Sequence, residues 1–138
     1  MTGEQVGILV VDDEEPVRNL LQRILGEAGY DVVTAANGQE ALDKVSQLNA
    51  GVVLLDIKMP GMSGIEVLQQ ITTNWPETCV VMATAAGDAE TAVEAMKAGA
   101  YDYITKPFNR DDVVLKVQKA IEKRDLLWHL LKNVETPD

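Results

Sequence analysis

The sequence predicts an α/β domain built on a five-stranded parallel sheet with helices on both faces. Five short aliphatic segments alternate with five amphipathic segments along the 138 residues. Most of the aliphatic segments are continuously apolar, which is typical of parallel strands buried on both faces. They begin 19 to 28 residues apart, close to the length of one strand, one helix and their connections. This regular alternation favours a doubly wound sheet.

The predicted strands are Gly7–Asp12, Val32–Ala36, Gly51–Asp56, Cys79–Thr84 and Tyr101–Thr105. A helix is predicted between the first two strands because Pro16 suits the first helical position and apolar residues follow at helical spacing. Those apolar positions are Val17, Leu20, Leu21, Ile24, Leu25 and Ala28. Gly29 then supplies a C-terminal stop.

The same spacing predicts four more helices. Ser63 and Glu66 stand at capping-box spacing and mark the start of the third helix. The fourth helix runs from near Asp88 to Gly99, and the fifth begins near Asn109. The positions expected to be buried are, helix by helix, Ala41, Leu42, Val45 and Leu48; Ile65, Leu68 and Ile71; Ala92, Val93 and Met96; and Val113, Val117, Ala120 and Ile121.

Composition excludes several classes of function. Twelve basic and 22 acidic residues give a net charge of −10, which repels nucleic acid backbones and anionic lipid. The single cysteine, Cys79, and the single histidine, His129, exclude an internal disulfide and a His/Cys zinc cluster. No apolar run approaches the ~20 residues that a membrane span needs. We therefore expect a soluble protein of a reducing cytoplasm whose chemistry uses carboxylates, hydroxyls, lysine and a hard metal.

Four predicted strands end in residues that can do chemistry. Asp12 and Asp13 end the first, Asp56 the third and Thr84 the fourth, and the fifth leads into Lys106. Each residue taken singly has an ordinary explanation as a loop carboxylate, a helix cap, a strand-end hydroxyl or a solvated lysine. Together they are expected to meet, because the functional crevice of an open parallel sheet lies beyond the carboxyl ends of its strands.

Such a cluster suits phosphoryl transfer. Neighbouring carboxylates raise one another's pKa, and a hard cation such as Mg²⁺ relieves their repulsion. A carboxylate beside that cation can act as a nucleophile and become an aspartyl phosphate. The cation, the lysine ammonium and the hydroxyl would then hold the phosphoryl oxygens.

Over residues 6 to about 123, the chain resembles the receiver domains of two-component response regulators. The motifs that carry the resemblance are Val10-Val11-Asp12-Asp13, the segment 56–64 (DIKMPGMSG), Thr84-Ala85, Gly99-Ala100 and Lys106-Pro107-Phe108. The resemblance implies a flavodoxin-like sheet with strand order 2-1-3-4-5. It also implies that Asp56 accepts a phosphoryl group from a sensor histidine kinase or phosphotransfer protein. Asp12, Asp13, Asp56 and the backbone carbonyl of Lys58 would hold Mg²⁺.

The resemblance assigns the remaining site residues to a conformational switch. Lys106 would pair with the phosphoryl group, and the Thr84 hydroxyl would move to meet it. Tyr103 would turn inward when Thr84 moves, although a half-buried strand aromatic has the same appearance in a sequence. The Lys106–Pro107 bond is expected to be cis. Two neighbours, the Lys58 side chain and Ala86, depart from commoner choices at positions associated with the lifetime of the phosphorylated state.

Two other classes of function are less well supported. A phosphohydrolase with an aspartate nucleophile would have a second aspartate two residues further on, where this chain has Lys58. No glycine-rich nucleotide-binding motif is present. A passive binding module would leave the placement of Asp56, Thr84 and Lys106 unexplained. We therefore expect a switch and not an enzyme, with only weak self-phosphorylation and self-dephosphorylation.

The last helix is expected to extend beyond the domain. We predict a receiver domain over residues 1–123 and a helical extension over residues 124–138 that leads toward an output domain. Apolar positions form a stripe, interrupted at Arg124, that consists of Val117, Ala120, Ile121, Leu127, Trp128, Leu131 and Val134, and Leu126 and Leu130 lie beside it. Because large apolar patches rarely stay exposed, a homodimer through a parallel pair of these helices is predicted. A helix that folds back or frays is the alternative.

Overall fold

Five strands and five helices alternate along the chain in the computed structural model, which describes residues 7–48 and 50–135. The elements are β1 (Gly7–Val11), α1 (Glu15–Glu27), β2 (Asp31–Ala35), α2 (Gly38–Leu48), β3 (Val52–Asp56), α3 (Gly64–Asn74), β4 (Cys79–Ala85), α4 (Ala89–Lys97), β5 (Asp102–Lys106) and α5 (Arg110–Glu135). Every predicted strand and helix is present, the strand ends lie within one residue of the expected ones, and α1, α3, α4 and α5 begin within one residue of their predicted starts.

All strand pairs are parallel, and the sheet order is β2-β1-β3-β4-β5. This is the doubly wound, flavodoxin-like arrangement with an extended last helix, so the predicted fold class is confirmed. In the register of the sheet, Asp56 lies beside Ala83, and Lys106 lies beside Ala85. The carboxyl ends of the strands therefore meet at one edge.

The sheet separates two hydrophobic layers. One layer, between the sheet and α2 and α3, includes Leu9, Leu55, Met82, Leu68 and Ile71. The other, between the sheet and α1 and α5, includes Val10, Leu54, Val81, Leu25 and Val117. Alternate strand residues point to opposite faces, so the central strands need apolar residues at every position. The edge strands β2 and β5 are partly exposed, and they contain the least continuous apolar runs.

Local signals in the sequence explain the helix ends. Ser63 and Glu66 form the predicted capping box, in which the Ser63 hydroxyl accepts from the Glu66 amide and the Glu66 carboxylate accepts from the Ser63 amide. Gly29, just after α1, has φ +99°, a left-handed conformation that glycine adopts without steric cost. Pro16 is the second residue of α1 and not the first.

The predicted buried face of α4 was partly wrong. Ala92 is buried as expected, but its companion is Ala95, whereas Val93 and Met96 are 53% and 40% exposed. The small alanine side chains let the helix backbone approach β4 and β5 closely, and this rotates the larger residues outward. Leu48, at the last position of α2, is also exposed and not buried.

Helix α5 packs against the core of the domain along much of its length. Val117 and Ala120 are fully buried in the core, and Leu127 is half-buried against the same layer. Part of the predicted stripe is therefore covered by the domain itself, whereas Leu126 and Leu130 are exposed. The predicted positions Leu131 and Val134 lie outside the residues whose side chains are described. Within 7–48 and 50–135, none of the helices combines the length and apolar character needed to span a bilayer.

We predict that Gly64→Ala destabilises the fold by about 1–3 kcal/mol. A Cβ at residue 64 would lie 2.2 Å from the backbone oxygen of Asp56 and 2.7 Å from the Cα of Ile57, and neither backbone atom can yield easily. Gly26→Ala is the control, because Gly26 is an exposed position within α1 where an added Cβ meets no other atom, and this substitution should stabilise the fold by about 0.5–1 kcal/mol. Urea unfolding midpoints measure both. Unchanged stability of Gly64→Ala would contradict the close packing of α3 on β3.

Candidate functional site

The ends of four strands bring polar side chains to one edge of the sheet. Asp12 directly follows β1, Asp56 ends β3, Thr84 is the penultimate residue of β4, and Lys106 ends β5. Asp12, Asp56 and Thr84 are buried, with exposed fractions of 2%, 6% and 3%, whereas Asp13 is exposed. All five sequence-predicted residues of the cluster therefore lie at the same edge.

Lys106, at the end of the edge strand β5, contacts the carboxylates of both Asp12 and Asp56. Its Nζ lies 3.2 Å from Oδ2 of Asp12 and 3.3 Å from Oδ1 of Asp56. Because β4 separates β5 from β3, the lysine side chain crosses the end of β4 to make these contacts. One ammonium therefore faces two buried carboxylates, with a third carboxylate, Asp13, nearby.

The cluster has an excess of negative charge. Burial, followed by the charge of Asp12, raises the pKa of Asp56 from 3.8 to about 6, although Lys106 opposes the rise. Burial alone would lower the pKa of Lys106, but the charges of Asp56 and Asp12 and their hydrogen bonds raise it. The ammonium stays protonated and does not fully compensate the carboxylates.

A hard divalent cation fits this residue set. Asp12, Asp13 and Asp56 each offer a carboxylate oxygen, and these oxygens lie within 4.8 Å of one another. Carboxylate oxygens with room for retained water are the ligands that Mg²⁺ prefers. A cation here would also relieve the repulsion that raises the pKa of Asp56.

A cavity of about 190 Å³ opens beside the carboxylates. Its lining includes Asp13, Asp56, Lys58, Thr84 and Lys106. The Thr84 Oγ1 is buried and has no hydrogen-bond partner among the described residues. An unpartnered buried hydroxyl is costly, and a ligand with acceptor oxygens in the cavity would satisfy it.

Two contacts at this edge, one made by Arg18 and one made by Lys58, were not predicted from the sequence. Arg18 donates from Nη1 to the backbone oxygen of Asp12 at 2.8 Å and so fixes the loop that carries the acidic pair. The Nζ of Lys58 lies 3.0 Å from Oδ2 of Asp88. No periodicity or motif in the sequence predicts either contact, because only the folded structure brings Arg18 close to the Asp12 carbonyl and Lys58 close to Asp88.

Tyr103 lies away from the cluster. It is 38% exposed and lines a separate cavity of about 350 Å³ with α4 residues that include Val93 and Met96. In the sheet register Tyr103 pairs with Met82 and Thr105 pairs with Thr84, so Tyr103 and Thr84 share one face. The Lys106–Pro107 peptide bond is cis, as the resemblance implied.

The fold is a doubly wound α/β domain with an acidic cluster and a lysine at the carboxyl ends of its strands, and comparison with known proteins gives the family. Residues 8–118 match the response regulator receiver domain, and the chain belongs to this family. It is 46% identical over 121 residues to transcriptional regulatory protein ZraR of Klebsiella oxytoca, covering 88% of this chain and 27% of that protein. It is 40% identical over 119 residues to regulatory protein AtoC of Escherichia coli (strain K12), covering 86% and 26%.

Solved structures give the same result. The crystal structure of the receiver domain of NtrX from Brucella abortus has a TM-score of 0.81 and 40% identity, and the match covers 83% of this chain and 98% of that one. A longer NtrX structure from the same organism has a TM-score of 0.87 and 37% identity, with coverage of 94% and 29%. The chain spans about a quarter of the length of the curated relatives described above.

Asp56→Asn is predicted to stabilise the protein by about 1–3 kcal/mol at pH 7.5 without divalent cations, because burial of the charged carboxylate raises the pKa of Asp56 to about 6 and its ionisation therefore opposes folding. The folded-state pKa of about 6 exceeds the unfolded value, so ionisation of Asp56 costs stability. That cost disappears as the pH falls from about 6 to about 4. Thermal or urea unfolding of both proteins at pH 7.5 and pH 4 measures the difference, which should shrink at pH 4.

Asp31→Asn is the control for this experiment, because it removes one negative charge from an exposed position. It should change stability by less than about 0.5 kcal/mol. If Asp56→Asn were no more stable than wild type at pH 7.5, the carboxylate cluster would not be strained as described.

Proposed function

We propose that the chain is a phosphorylation-dependent switch in which Asp56 accepts a phosphoryl group from a sensor histidine kinase or a phosphotransfer protein. The observation that carries the proposal is the pairing of the buried Asp56 carboxylate with the Lys106 ammonium at 3.3 Å, beside a cavity that also contains the unpartnered Thr84 hydroxyl. A nucleophile, a positive charge and a free donor therefore surround one space.

The chain's own residues account for the transfer. A carboxylate oxygen of Asp56 attacks phosphorus, the bond from phosphorus to the donor's histidine nitrogen breaks, and its electron pair stays on that nitrogen. Lys106 offsets the negative charge on the transferred group. Asp12, Asp13, Asp56 and the backbone carbonyl of Lys58 would hold Mg²⁺, which when bound neutralises charge on the phosphoryl oxygens.

The switch itself is proposed to involve Thr84 and Tyr103. The Thr84 hydroxyl gains an acceptor when a phosphoryl oxygen enters the cavity, so β4 and its following loop shift toward Asp56. Tyr103 lies on the same face of the sheet, next to the α4 cavity, and would turn into space that this shift opens. The surface of α4 and β5 thereby reports the state of Asp56.

A receiver domain is regulatory, and we propose that this one has at most weak self-phosphorylation and self-dephosphorylation. The phosphohydrolase alternative would have an acidic side chain at residue 58, which is lysine. Regulation by phosphorylation is proposed to act on an output function, since the relatives are described as regulatory or transcriptional regulatory proteins. The net charge of −10 supports a role in which this chain binds neither nucleic acid nor membrane, and we propose that it acts in the cytoplasm.

The last helix supports a proposal about assembly. We assign residues 1–123 to the receiver domain and residues 124–138 to a helical extension that pairs in parallel with a second copy. Leu126 and Leu130, one helical turn apart on α5, are 54% and 53% exposed. Leu127 packs on the domain, so the pairing surface is narrower than the sequence stripe and centres on these two leucines.

Wild-type protein should take up about one phosphoryl group per chain from acetyl phosphate and Mg²⁺, and Asp56→Asn should take up none, because the nearly isosteric amide is not a nucleophile. The label should be stable in acid and labile in base. Asp13→Ala should require more Mg²⁺ for the same labelling, since it loses one anionic ligand. Stoichiometric label on Asp56→Asn, multiple-turnover release of phosphate, or no label on wild type would each contradict the proposal.

Residues 1–138 should form a dimer at tens of micromolar, a range typical of moderate affinity, whereas residues 1–123 should be monomeric. Sedimentation equilibrium measures both. The double variant Leu126→Gln, Leu130→Gln should also be monomeric because it removes the exposed apolar pair. Leu115→Gln is the control, since Leu115 is a similarly exposed leucine in the earlier part of the same helix. A monomeric long form, with or without a phosphoryl mimic, would contradict the helix pair.

A further inference from the structure

One ion pair spans the opening of the acceptor cavity. Lys58 lies two residues after β3, and Asp88 lies in the loop after β4, and their charged atoms are 3.0 Å apart. Both residues line the cavity that contains Asp56 and Thr84. The side chain of Lys58 is 73% exposed, so the ammonium is free to move on its flexible stem.

Asp88 holds the N-cap position of α4 without capping it. Its side chain makes no hydrogen bond to the first turn, and its backbone has φ −98° and ψ 48°. Ser63, which caps α3, has φ −72° and ψ 160°, the extended conformation that N-cap residues favour. Aspartate is among the best N-cap residues, yet the Asp88 carboxylate here contacts Lys58 and not the first turn of α4.

Phosphorylation of Asp56 would place a second anion, the phosphoryl group, in competition with Asp88 for the Lys58 ammonium. A phosphoryl group carries up to two negative charges, against one on Asp88, and an exposed ion pair contributes little stability. A phosphoryl group in the cavity is therefore a stronger partner for Lys58 than Asp88 is. Release of Asp88 leaves its carboxylate beside the positive N-terminus of α4, where it is stabilised.

We propose that Asp88 is a positioning residue that holds Lys58 at the cavity opening in the unphosphorylated state and yields it to the phosphoryl group on Asp56, whereupon the Asp88 carboxylate caps α4. The proposal rests on the proposed function of Asp56. Gly87, with φ +88°, precedes Asp88 and imposes little steric barrier to the backbone rotation that capping requires. Phosphorylation of Asp56 would in this way alter the N-terminus of α4, the helix that contains Val93 and Met96.

The first test is a double-mutant cycle on the affinity for trifluoroberyllate, a phosphoryl mimic, in the presence of Mg²⁺. Asp88→Asn keeps a good N-cap residue but releases Lys58, so binding should tighten by about two- to fivefold, the range of an exposed ion pair. Lys58→Met should weaken binding. In the Lys58→Met background, Asp88→Asn should then change the affinity no more than Glu90→Gln does.

Glu90→Gln is the matched control because Glu90 is an exposed carboxylate in the first turn of the same helix. It reports the effect of removing one negative charge near the site without removing a partner of Lys58. Equal effects of Asp88→Asn in both backgrounds would overturn the exchange and leave the proposed function of Asp56 intact. Failure of wild type to bind trifluoroberyllate would overturn both.

The second test is amide hydrogen exchange at Glu90 and Thr91, the positions that an N-cap side chain protects. Trifluoroberyllate should increase their protection in wild type. In Lys58→Met the protection should already be high without the mimic, and in Asp88→Ala it should stay low in both states. A purely structural ion pair would lower the stability of both variants without this opposite pattern. Unchanged protection in wild type would overturn the proposal.

Discussion

The contact of one ammonium with two buried carboxylates governs the chemistry of this domain. Lys106 lies within about 3.3 Å of Asp12 and Asp56, and a third carboxylate, Asp13, lies close by. Burying several like charges is expensive unless each is compensated, and one lysine is not enough, as the raised pKa of Asp56 shows. The negative charge of the buried carboxylates is therefore only partly compensated in the folded chain. A divalent cation would supply the missing positive charge, and in the proposed function a bound cation would also favour the arrival of a phosphoryl group.

The parallel sheet makes such a cluster possible. The central strands are buried on both faces, so their polar residues are confined to their ends, and parallel pairing brings those ends to one edge. Gly64 adds a requirement of its own, because a side chain there would collide with the backbone of Asp56. The start of α3 therefore packs directly on the end of β3, the strand that carries Asp56. The close packing of Gly64 on the backbone of Asp56 and Ile57 therefore both positions Asp56 and contributes to the stability of the fold.

Sequence periodicity predicted the elements better than their orientation. The continuous apolar strands, the Ser63 capping box and the stop at Gly29 are local signals, and each was confirmed. The face of α4 was mispredicted because alanine and valine are both acceptable core residues, and only packing against the sheet selects Ala95 over Val93. The Lys58–Asp88 pair joins residues 30 positions apart, so no short-range pattern could reveal it. The receiver motifs indicated the polar cluster, but not the state of Thr84, whose missing hydrogen bond depends on three-dimensional surroundings.

The proposed switch needs a route from the acceptor edge to the extended helix at the opposite edge. Leu127 and Lys123 of α5 line a cavity with Cys79, the first residue of β4, so the extension leaves the domain far from the carboxyl ends of the strands. Lys116, earlier in α5, donates to the backbone oxygen of Tyr103 at 2.6 Å and lies 5.1 Å from its ring centroid. An inward turn of Tyr103 would break this ring contact, and α5 would experience the change directly. Because α5 is one continuous helix to Glu135, a displacement at Lys116 would be passed along the helix to Leu126 and Leu130, where the proposed helix pair forms.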